Sequence, residues 1–282
     1  MTDEIFLDTS VIIRRFLGAA PIKKRINERI AQHSSVTSLV VRQEYKRRVL
    51  QEAQYLLNQL HDKGSLTAVH DHVLNVLPPK QERKRKIALN LIRNYFPHAD
   101  EAEGTERARR TLRSLLVTGL RQFDEGVDRV IWDSECSCAK FPVTERTPYR
   151  RYDFGPTKCS KAAGSCGVVD FLFARQTEAQ KILDHLRRLS TEAKSGELKR
   201  IEDFLSAVFS NSKAATDLDP CLTVGDLLIA LESVGITTFY TQNSKESQHL
   251  CRVLDQNLIV RSNDASKEDV CHRATDSPWP KY

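Results

Sequence analysis

Two kinds of segment alternate near both ends of this chain, and that alternation limits the fold more than any other feature. Short runs of strand character lie at residues 4–8, 35–40, 236–241 and 258–260, with helical periodicity between them. Strands separated by helices predict a parallel sheet with helices on both faces. In such open sheets, ligands and catalytic groups gather beyond the C-terminal ends of the strands. The first run, Glu4-Ile5-Phe6-Leu7, ends in Asp8 and is followed at once by Thr9-Ser10-Val11-Ile12. Glu44 stands one helical turn beyond the second run, and Asp226 opens Asp226-Leu227-Leu228-Ile229-Ala230-Leu231. The third run ends in Thr241-Gln242-Asn243. Three carboxylates and an Asn at element junctions suit a hard divalent cation, which selects oxygen ligands. Each has a structural alternative. Asp8 and Asp226 could cap the helices that follow them, and Glu44 could pair with Arg47 or Arg48.

Between these blocks the chain changes character. Residues 11–32 read as one or two helices, with Pro21 as the break. Residues 41–61 form an amphipathic helix with Tyr45, Val49, Ala53, Leu56, Leu57 and Leu60 on one face. Residues 66–130 look mostly helical, and 168–210 return to helix. A helix over 222–234 ends at Gly235. The expected architecture is α/β: one domain built from 1–60 plus 217–262, interrupted by a mostly helical insertion, 61–216. The insertion carries a Cys-rich lobe at 132–167, and a flexible tail follows at 263–282.

No apolar stretch approaches the ~20 residues needed to cross a bilayer, which predicts no membrane association. The acidic N-terminus runs directly into a strand, the reverse of a signal peptide. A cytoplasmic location with reduced thiols follows as the expectation, and the odd count of 7 cysteines speaks against a complete disulfide framework. The net charge of +6 is uneven. Residues 61–216 carry 27 Lys and Arg against 21 Asp and Glu, while 217–282 carry 6 against 10. A basic surface beside an acidic pocket suits a polyanion guided to a metal.

The blocks "FLDTSVII", "VTSLVVRQEYKR", "TVGDLLIALESVGITTFYTQN" and "LDQNLIV", in this order, resemble those of the PIN-domain ribonucleases, the VapC-like metal-dependent nucleases. The resemblance covers residues 3–60 and 218–262. It implies Asp8, Glu44, Asp226 and Asn243 as catalytic and metal-binding positions for Mg²⁺ or Mn²⁺, with Ser10 and Thr241 in support. The family's fourth position is Asp or Asn; here it is Asn243, and Glu246 is a substitute ligand one turn on. The implied reaction is endonucleolytic hydrolysis of RNA, leaving a 3′-hydroxyl and a 5′-phosphate. The implied setting is a toxin, a defence effector or an RNA-processing enzyme, with an inhibitory or activating protein partner and a homodimer as further expectations. The rival reading is a catalytically inactive scaffold that binds RNA or protein, favoured by Asn243. A phosphatase of the haloacid-dehalogenase type would need a second Asp where Ser10 stands.

Cys136, Cys138, Cys159 and Cys166 place four thiols within 31 residues rich in Pro and Gly. Four thiolates suit a structural Zn²⁺, and such a segment has few apolar residues to hold it otherwise. Cys221, Cys251 and Cys271 lie outside it and read as unligated. Two basic stretches are candidates for RNA contact: Arg83, Lys84, Arg85 and Lys86, and Arg146, Tyr149, Arg150 and Arg151, where Arg beside Tyr suits phosphate contact and base stacking. The plain alternatives are a solvated helix face and a polar loop.

Overall fold

The computed structural model describes residues 3–76, 82–95, 102–146, 151–156, 166–211, 219–262 and 267–273. Strand β1 (Glu4–Leu7) is followed by α1 (Thr9–Leu17) and α2 (Ala20–Ile30). Strand β2 (Ser34–Ser38) leads into α3 (Leu39–Tyr45), a single π turn (Lys46–Leu50) and α4 (Gln51–Lys63). The next helices are α5 (Leu66–Asn75), α6 (Glu82–Tyr95) and α7 (Ala102–Glu125), before strand β3 (Arg129–Ile131). Helix α8 (Ser137–Lys140) and the hairpin β4 (Thr144–Arg146) and β5 (Arg151–Asp153) come next, followed by α9 (Val168–Ala174), α10 (Gln176–Arg188) and α11 (Gly196–Ser210). The chain closes with α12 (Pro220–Thr223), α13 (Gly225–Glu232), β6 (Thr238–Thr241), α14 (Ser244–Val253), β7 (Asn257–Val260) and β8 (Val270–His272).

Six strands form one sheet in the order β3-β2-β1-β6-β7-β8. All neighbours are parallel except β8, which runs antiparallel to β7. The central strands are apolar because helices cover both faces. Ile5, Phe6 and Leu7 are fully buried, and the paired Phe6 and Phe239 stack with ring centroids 5.1 Å apart.

Local chemistry sets the helix ends. The run at 35–40 ends as a strand at Ser38, two residues early, because the Ser38 hydroxyl accepts the Val41 N–H and turns Leu39 and Val40 into the first residues of α3. Ser65 and Ser195 cap α5 and α11 in the same way. Gly64, at φ 76°, closes α4 in the left-handed conformation that glycine adopts without a Cβ penalty. Pro21 stands in the first turn of α2, so residues 11–32 divide into two helices.

Two expectations need correction. Residues 61–216 are not wholly separate from the sheet, since β3 pairs with β2 through Val36–Arg129, Thr37–Val130 and Ser38–Ile131. Helix α7 also packs on α4, and one continuous apolar core runs through both portions. The segment beyond 262 is not tail throughout, because β8 pairs with β7. It is anchored there by Asp269, which accepts the Tyr240 hydroxyl at 2.6 Å and the Ser262 N–H at 3.3 Å. No described helix is long and apolar enough to cross a membrane.

Candidate active site

The parallel pairing of β1 with β6 sets Leu7 opposite Tyr240, so the residues just past both strands meet. Asp8 lies there with its main chain still extended, and its N–H donates to the Tyr240 carbonyl. Its carboxylate is nearly buried, and both of its oxygens accept hydrogen bonds. Oδ1 accepts the Thr9 N–H at 2.6 Å, and Oδ2 accepts the Ser10 and Thr241 hydroxyls, each at 2.7 Å. Ser10 Oγ in turn accepts the Gln242 N–H, and Thr241 Oγ1 accepts the Asn243 N–H, both at 2.9 Å. Capping and site placement therefore coincide at Asp8: the bonds that start α1 also lock the carboxylate.

Glu44 sits on α3 at 3 % exposure. Arg48 donates to its Oε1 at 2.8 Å, and Arg47 stands 3.8 Å away. The other oxygen, Oε2, is buried and has no hydrogen-bond partner among the described residues. Such a carboxylate oxygen is costly to leave unmatched. Gly225 makes room for the Glu44 side chain, since a Cβ there would lie 2.8 Å from its Oε1. Asp226 occupies the first turn of α13 without capping it and accepts the Asn243 amide at 3.2 Å. Burial pushes the Asp226 carboxyl up to about 8, with the neighbouring Glu44, Asp8 and Glu197 adding to the rise and Arg48 opposing it. Carboxylates this close repel unless a proton or a cation stands among them.

These groups line one open cavity of about 510 Å³. Glu246, in the first turn of α14, faces the same space. So do two residues of α11 that sequence reasoning missed, Glu197 and Arg200, which form an ion pair with each other. Their only signal in the sequence is an acid and a base three residues apart, a pattern common on solvated helices. Burial, and then Glu246 and Glu44, raise the Glu197 carboxyl while Arg200 lowers it. The cavity thus carries five carboxylates with Arg47, Arg48 and Arg200 beside them. Among the described residues, no three His, Cys, Asp or Glu side chains are already arranged to hold a metal ion.

The basic stretches lie elsewhere, and none of their described side chains lines this cavity. The Lys84 ammonium sits 4.4 Å from the centroid of the Tyr55 ring. Arg85 is half-buried and Lys86 exposed on α6. Arg146 pairs with Asp153 across the β4–β5 hairpin, and Arg151 is exposed. Tyr149 and Arg150, and the side chain of Arg83, lie outside the described residues, as does Cys159.

The remaining cysteines of the central segment do meet, with one partner the sequence did not suggest. The Cys136 thiol contacts those of Cys138, Cys166 and Cys221, with Sγ–Sγ of 3.7 Å to Cys221. Cys221, expected to stand apart, belongs to this group because α12 carries it there. Comparison with protein-family models, with curated proteins and with solved structures found no match.

Proposed function

We propose that this protein is a PIN-type, Mg²⁺- or Mn²⁺-dependent endoribonuclease whose active site is the acidic cavity at the C-terminal ends of β1 and β6. One observation carries the reading: Asp8, Glu44 and Asp226, distant in sequence, line one cavity in which a buried Glu44 oxygen has no partner among the described residues. The donor set is all oxygen, as a hard cation requires. Asp8, Glu44 and Asp226 would hold the ion, with Glu246 or the Asn243 carbonyl completing its shell. Bound there, the ion would supply Lewis-acid stabilisation of the developing phosphorane charge and acidify a water for in-line attack.

The chain's own residues do the rest. Ser10 and Thr241 fix the Asp8 carboxylate through both of their hydroxyls, so its oxygens need no reorganisation when charge develops. Arg47, Arg48 and Arg200 stand where a phosphodiester backbone would approach, and they offset the repulsion between that backbone and the five acids. Arg48 already donates to Glu44 and so ties this cationic rim to the carboxylates. The openness of the cavity suits a polymer rather than a small enclosed metabolite.

Incubation with total cellular RNA tests the proposal. Cleavage is expected with Mn²⁺ or Mg²⁺, to stop in EDTA, to leave 5′-phosphate ends, and to vanish in the Asp8→Ala, Asp226→Ala double variant. Equal cleavage by that variant would refute it. Intact RNA under every condition, with RNA retained on the protein, would favour the binding scaffold instead.

A further inference from the structure

We propose that Cys136, Cys138, Cys166 and Cys221 form a tetrathiolate site for one structural Zn²⁺. This site joins the central segment to α12, immediately before the helix that carries Asp226. The inference is independent of the nuclease reading.

The four sulfurs are already gathered around Cys136. A tetrahedral zinc with Zn–S bonds of about 2.3 Å holds its sulfurs about 3.8 Å apart, and Cys136 and Cys221 stand at 3.7 Å. Cys136, Cys138 and Cys221 are at most 5 % exposed, which shields the site from bulk water. Among the described residues the side chains do not yet surround an ion, so the thiols would have to rotate to close the shell.

The backbone brings these residues together at close quarters. Cys136 precedes α8, and its carbonyl accepts the Ala139 N–H, so the C-x-C turn directs both thiols inward. Gly167 donates its N–H to the Glu135 carbonyl. A Cβ at Gly167 would meet the Glu135 Cβ at 2.5 Å, so only glycine lets the chain bearing Cys166 come this near. Glu135, beside Cys136, and Asp219, two residues before Cys221, both take positive φ, 48° and 44°. Non-glycine residues adopt that conformation where the surroundings impose it.

A second observation points to negative charge at the cluster. Lys46 is 2 % exposed, and its ammonium donates to the carbonyls of Cys138 and Phe141 at 2.7 and 3.0 Å. Arg42 donates to the Ala139 carbonyl beside it. A buried ammonium calls for a nearby anion. Four thiols that release four protons to bind Zn²⁺ leave a site of net charge minus two next to Lys46. With neutral thiols, the carboxylate left to offset this cation would be Asp153, against the neighbouring Arg42.

Metal analysis of the full chain, purified under reducing conditions without chelator, tests the site. About one zinc per chain is expected. Cys221→Ser and Cys166→Ser should lose it, while Cys159→Ser and Cys251→Ser should keep it. If the first two variants fail to fold, Co²⁺ loaded into the wild-type chain in place of zinc decides the matter. The intense charge-transfer and visible bands of four-thiolate coordination are then expected. Absence of stoichiometric zinc after folding with excess metal, iron in its place, a Co²⁺ spectrum of fewer thiolates, or loss of zinc from Cys159→Ser with retention in Cys221→Ser would each overturn the proposal.

Discussion

Thr241 does more at this site than its neutral side chain suggests. Its hydroxyl donates to Asp8 Oδ2 and accepts the Asn243 N–H, so it links the β1 acid to the loop that enters α14. Thr241→Val keeps the shape and removes both bonds. The expected cost is about 2 kcal/mol of stability, at roughly 1 kcal/mol per bond. Metal affinity or cleavage rate should fall roughly 10- to 100-fold, as for other residues that orient a ligand. Denaturant unfolding and Mn²⁺ titration would check both, and an unchanged metal affinity would contradict the role. At this scale much was legible in the sequence. Asp8 and Thr241 follow apolar runs, and strand ends in a parallel sheet mark where functional groups collect. Glu197 and Arg200 were not legible, because their place depends on how α11 packs against the rest of the chain. Cys221 was missed for the same reason: nothing in its neighbourhood tells that α12 returns it to Cys136.

Helix α13 begins at Gly225, and its lack of a side chain is what lets Glu44 approach. Gly225→Ala brings a Cβ to 2.8 Å from Glu44 Oε1, the far end of a side chain that can swing aside. Folding should therefore survive, helped by the roughly 1 kcal/mol that Ala gains over Gly in a helix. The displaced carboxylate should weaken Mn²⁺ binding about tenfold or more. Calorimetric titration alongside thermal unfolding would show the split; equal loss of both would mean that Gly225 matters for packing alone. The long helices and the four core strands were readable from periodicity and apolar runs. The edge strands β3 and β8 were not. Each has three residues, too few to show alternation, and their pairing is decided by β2 and β7. Apolar Leu39 and Val40 suit a strand as well as a helix, and the Ser38 cap settles the choice.

Over the whole molecule, buried acids tie stability to pH. The Asp226 carboxyl is raised by burial from 3.8 to about 8, and Glu232, also chiefly through burial, from 4.5 to about 7. Each holds its proton more tightly in the folded chain than in the unfolded one. Their contribution is complete below the unfolded values and is lost as pH rises through the folded ones. In EDTA, the unfolding temperature should fall between pH 6.5 and pH 8, above the range in which the lowered His185 and His249 act in the opposite direction. Asp226→Asn should flatten that fall and leave the part due to Glu232 and to Glu52, whose carboxyl burial raises to about 7. Saturating Mn²⁺ should also flatten it, because the cation replaces the proton among the acids. A wild-type profile that rises with pH over this range in EDTA would contradict this electrostatic picture.

The most direct measurement is the cleavage rate of one fluorescently labelled RNA by wild type, Asp8→Asn and Glu44→Gln, each confirmed as folded, in Mn²⁺ and in EDTA. The account predicts turnover by wild type in Mn²⁺ only, with both variants slowed at least about 100-fold, the scale of losing a group that stabilises the transition state. Turnover that persists in EDTA, or that survives both substitutions, would contradict it.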